Sequence, residues 1–92
     1  MAKFLMLGKY SVEGVKGIAA QRTPKVAEAI QKAGGKVHVM YALLGAFDVA
    51  FIVEFPGNAE ALKASIATTK LTGIGFTTCP AMPVEEFDKI TG

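Results

Sequence analysis

Ninety-two residues are enough for one small domain with a modest core. Hydrophobic side chains make up 51% of the chain and charged ones 20%, so more apolar surface is available than the chain's own fold needs, and a buried interface is expected. Ten basic and eight acidic residues give a net charge of +2 without any like-charge block, which excludes a nucleic-acid face or an anionic-membrane anchor as partner. The single cysteine, Cys79, excludes an internal disulfide and fits a reducing cytoplasm. The apolar run 4–8 is too short for a secretion signal, and no stretch approaches the length of a membrane span.

Phe4 to Tyr10 predicts a strand that is apolar on both faces. Ser11 is a suitable helix N-cap. Gly14, Gly17 and Pro24 then interrupt the helical pattern, which leaves either a kinked helix or a short one followed by a longer one opening at Thr23-Pro24. Val26, Ala27, Ile30 and Ala33 form an apolar stripe, and Gly34-Gly35 ends it. Lys36–Leu43 and Phe47–Phe55 predict a hairpin with almost no polar face. Pairing Lys36 with Glu54 sets Val37 opposite Val53, Val39 opposite Phe51 and Tyr41 opposite Val49. The other face then carries His38/Ile52, Met40/Ala50 and Ala42/Asp48.

Pro56-Gly57 breaks the strand and Asn58 caps a second helix to about Lys70, with Leu62, Ile66 and Thr69 inward. Gly73–Pro80 predicts a fourth strand. Pro83 opens a terminal helix, 84–90, pinned by Phe87 and Ile90. The order strand, helix, strand, strand, helix, strand is that of an α+β, ferredoxin-like βαββαβ domain spanning 1–92, with a four-stranded antiparallel sheet. Its first and third strands lie centrally. Helices cover one sheet face, and the other is expected to be buried against a second copy of the chain, a homodimer or a higher homo-oligomer.

Tyr10-Ser11-Val12-Glu13-Gly14, Leu44-Gly45-Ala46-Phe47-Asp48, Glu54-Phe55-Pro56 and Ala81-Met82-Pro83-Val84-Glu85-Glu86-Phe87 together resemble the GYD-domain family over essentially the whole chain. The resemblance implies kinship with dimeric α/β-barrel proteins, in which two such sheets pack face to face around a cavity. The tyrosine of the family's motif is Phe47 here, and the acidic residue often found after the proline is Gly57.

Candidate site residues follow from the expected topology. Taking the first and third strands to run in the same direction, Tyr10, His38 and Glu54 fall at one sheet end, with His38 as general base. The plainer reading is a strand histidine beside a Lys36–Glu54 surface pair. Asp48 is either a third proton-handling group or bonds amides of its own turn. Cys79 is placed away from His38, as a small buried hydrophobe. Met40, Ala50 and Ile52, with Glu54, are the expected ligand lining, unless the small residues merely let two sheets approach. No metal site and no cofactor are expected.

Three functions remain open at this point. One is a binding or sensing module for a small apolar molecule. Another is a small cofactor-independent enzyme, monooxygenase- or isomerase-like, using His38, Tyr10 and Asp48. The third is a stand-alone amino-acid-responsive effector domain.

Overall fold

The computed structural model describes residues 1–92. Its elements are β1 (Ala2–Tyr10), α1 (Val12–Lys16), α2 (Arg22–Lys32), β2 (Lys36–Ala42), β3 (Val49–Phe55), α3 (Asn58–Thr72), β4 (Ile74–Ala81) and α4 (Val84–Thr91). The sheet has the order β2-β3-β1-β4, and every neighbouring pair is antiparallel. This is the expected α+β, ferredoxin-like fold, with β1 and β3 in the middle.

One part of the expectation is corrected. β1 and β3 run in opposite directions, with Ala2 opposite Phe55 and Gly8 opposite Val49. The crossover through α1 and α2 returns the chain to start β2 at the end where β1 started, and the hairpin then reverses β3. Tyr10 and Glu54 therefore lie at opposite ends of the sheet.

Local sequence accounts for most boundaries. The Ser11 hydroxyl accepts a hydrogen bond from the Gly14 amide at 2.9 Å and caps α1, which is short, as one of the two alternatives required. α2 starts at Arg22, slightly before Thr23-Pro24, and Pro24 sits in its first turn where no amide donor is missed. α3 begins after an extended Gly57 and ends on Gly73, whose φ of 72° is left-handed and suits glycine.

The core lies between the helices and one sheet face. Phe4 and Met6 from β1, Val53 and Phe55 from β3, and Val26 and Ile30 from α2 are its centre. α3 turns a different side to this core from the one its large residues suggest. Its buried positions are Ala61, Ala64, Thr68 and Thr72, whereas Leu62 is 63% exposed and Ile66 49%. The inward face is thus rotated by one residue, about 100°, from the Leu62/Ile66 stripe. Small side chains let the helix sit close over an aromatic sheet. The threonine hydroxyls cost little to bury because they donate to carbonyls one turn back, Thr68 to Ala64 at 2.8 Å and Thr72 to Thr68 at 2.7 Å.

α4 is also corrected. It forms, but none of its residues is buried, and Phe87 and Ile90 are exposed rather than pinned.

Packing is tight around Gly8 of β1. A Cβ on Gly8 would come within 2.5 Å of Val49 Cγ2 and 2.8 Å of Ile74 Cγ2 and Phe76 Cε1. Gly8→Ala is predicted to destabilise the domain by about 1–3 kcal/mol, because three core side chains must move. Thermal unfolding should show Tm lower by roughly 5–20 °C, and a variant as stable as the parent would contradict this packing.

Candidate ligand-binding site

The predicted site residues separate into two groups at opposite ends of the sheet. The division begins with a β-bulge. Lys36 and Val37 pair with Glu54 and Val53, but beyond His38 the register advances by one, so Val39 pairs with Ile52 and Met40 with Phe51. The expected Val39–Phe51 and Tyr41–Val49 pairs do not form. The extra residue turns Met40 toward the helix side, where it packs on the core, and leaves Ala50 and Ile52 on the other face.

At one end, Nε2 of His38 donates to Oε2 of Glu54. The carboxylate can only accept, so Nε2 carries the proton. Glu54 lies in register between Lys36 on β2 and Lys3 on β1. The hydrogen bond from His38 holds the Glu54 carboxyl below the usual carboxylate range, against desolvation that raises it; charge from His38, the N-terminus and Lys36 lowers it further. Tyr10 is not part of this cluster. Cys79 is opposite Leu5, which is opposite Ile52, so it shares the transverse row next to His38 instead of lying at the far end. Three strand steps of about 4.8 Å still separate the two residues.

At the other end, Asp48 fastens the loop 43–48 to β1. Its amide donates to the Gly8 carbonyl at 2.8 Å, and its Oδ2 accepts from the Tyr10 amide at 2.8 Å. The carboxylate therefore serves a backbone amide of a neighbouring strand rather than its own turn. Lys9 Nζ adds a bond to the Ala46 carbonyl at 3.3 Å.

Beside this fastening, between the start of α2 and the β2 end of the sheet, lies a cavity of about 220 Å³. Tyr10, Met40 and Tyr41 line it with Val26, Phe51 and Ile74, and Arg22 and Thr23 supply its non-aromatic polar groups. Arg22 is held from two sides: Nη1 donates to the Gly14 carbonyl at 2.7 Å, and its guanidinium carbon lies 5.6 Å from the centre of the Tyr10 ring. No carboxylate pairs with it. Of the expected ligand lining, Met40 is in this cavity, whereas Ala50, Ile52 and Glu54 are not.

Arg22 was not anticipated from sequence. One signal was present: a cation in the first turn of a helix, with no acid in that turn, opposes the helix dipole and hints at another task. The face away from the helices carries Leu5 and Leu7 of β1, Val39 of β2, Ala50 and Ile52 of β3 and Cys79 of β4, and no element of the chain covers it. No group of three or more His, Cys, Asp or Glu side chains is placed to hold a metal ion, and no helix is long and apolar enough to cross a membrane.

The family model of the GYD domain matches residues 4–91. No curated protein matches the chain.

Two outcomes test this description. Because Glu54 titrates lower when folded than when unfolded, its carboxylate contributes stability above the ordinary glutamate range and loses it as pH falls through the lowered value. The Tm advantage of the parent over Glu54→Gln should therefore shrink between about pH 6 and about pH 3; an advantage that is constant or grows toward acid would contradict the pairing. Asp48→Ala strips the Tyr10 amide of its acceptor and should cost about 1–2 kcal/mol in denaturant unfolding, with Asp48→Asn costing less because an amide oxygen still accepts.

Proposed function

The chain belongs to the GYD-domain family, and we propose that it is a small-molecule-binding module that works as a homo-oligomer. The observation that carries the binding half is the cavity beside Tyr10. It is concave, mostly apolar, and has a few convergent polar groups in its wall, which is the usual make-up of a ligand site. The wall holds no carboxylate and no imidazole, so it offers shape and one cation rather than an acid–base pair. This favours binding over turnover. It also disfavours an amino-acid effector, whose ammonium would meet no anionic acceptor in the lining.

The assembly half rests on the uncovered sheet face. Leu5, Leu7, Val39 and Ile52 form an apolar band, with Lys3, Lys36, His38 and Glu54 at one end and Lys9 at the other. A second copy brings the same band, so a two-fold arrangement would bury apolar surface against apolar surface.

Ligand-observed NMR with a collection of ring-sized organic molecules tests the first half. The parent should bind some of them, and Ala42→Trp, which fills the cavity mouth from β2, should lose them while keeping its Tm within a few degrees. Binding that survives this variant unchanged would remove the cavity from consideration. For the second half, Ile52→Lys should lower the mass measured by light scattering to that of a monomer or drive aggregation. An unchanged oligomer would show that this face is not the interface.

A further inference from the structure

Arg22 gives the cavity a chemical preference. Arg22 is half-buried, and two contacts, the Gly14 carbonyl and the Tyr10 ring, fix its guanidinium before any ligand arrives. It has no carboxylate partner within the chain. One of its five N–H groups is used on Gly14, and the others remain available. A guanidinium in this state presents a planar fork matched to a planar, two-oxygen anion.

The remaining wall limits what that anion belongs to. A cavity of about 150 Å³ is enough to hold benzene, so a volume of about 220 Å³ accommodates one ring or branched chain together with a carboxylate. Val26, Met40, Phe51 and Ile74 would surround the apolar body. A phosphate ester would bring close to two negative charges to a single cation, in a wall that otherwise has only phenol and threonine hydroxyls to offer. Asp48 does not line the cavity, and its Oδ2 is engaged with the Tyr10 amide.

We propose that this cavity binds a small monocarboxylic acid as its carboxylate, with Arg22 as the anchor and an aromatic or branched aliphatic body among the apolar residues. The proposal rests on the ligand-binding reading of the same cavity given above.

The test is calorimetric titration of the full chain with benzoate, phenylacetate and 3-methylbutanoate and with their primary amides, at constant ionic strength. At least one acid should bind about tenfold or more tightly than its amide, the difference expected when hydrogen bonds to a charged partner are lost. Arg22→Gln should abolish that preference. Arg22→Lys keeps the charge without the fork and should retain only part of it. Because the acid-against-amide comparison is made on the parent, it stands even if a variant fails to fold. Acids and amides that bind equally well would overturn the carboxylate assignment and leave the cavity as a binding site. Absence of binding by all six would overturn both, as would a preference that Arg22→Gln leaves intact in a folded protein.

Discussion

The seven-pair antiparallel ladder between β1 and β3 sorts the central side chains of this protein into two sets. Phe4, Met6 and Gly8 of β1, with Phe51, Val53 and Phe55 of β3, point to the helices and are buried. Leu5 and Leu7, with Ala50 and Ile52, point the other way, where no helix covers them. Alternation of side chains along a strand makes this division strict: a one-residue slip would exchange the two sets. Both halves of the functional reading depend on it, because Phe51 of the helix-side set lines the cavity and the opposite set forms the apolar band.

Much of the fold could be read from residues. Strand and helix order, the central position of β1 and β3, the Ser11 cap and the glycine stop at Gly34-Gly35 all follow from local chemistry and hydrophobic pattern. What could not be read was the local detail that decides facing. Lys36-Val37-His38-Val39 reads as a regularly alternating strand, and Met40 to Leu43 would suit either face, so nothing in the sequence marks a change of register. The bulge at His38 nevertheless moves Met40 from one face to the other. α3 misleads for a related reason. Leu62 and Ile66 are the obvious inward candidates, but the sheet beneath already presents Phe4, Phe55 and Phe76, and the helix fits by offering alanine and threonine.

The candidate site was legible only in fragments. Tyr10 and Met40 were picked out, but in different proposed clusters, because their meeting requires both the antiparallel ladder and the bulge. His38 and Glu54 are legible as neighbours of one sheet end, distant from the cavity, but not as partners, because the regular register sets His38 opposite Ile52 and Glu54 opposite Lys36. Arg22 is contributed by α2, and its approach to Tyr10 is a tertiary contact between residues twelve apart that no strand register predicts. The loop 43–48 shows how the parts depend on one another: Asp48 holds Tyr10 by its amide, and Tyr10 in turn supplies the ring under Arg22.

On this account the two sheet faces have separate tasks, a ligand on the helix side and a second copy on the other. Methyl-resolved NMR of the full chain, recorded while a mixture of ring-sized organic acids, amides and alcohols is titrated in, reads both faces in one spectrum. Methyl signals of Met40, Val26 and Ile74 should shift, and those of Leu5 and Ile52 should not. Shifts confined to Leu5 and Ile52, with the Met40 signal unmoved, would place the ligand on the uncovered face and contradict the division of labour described here.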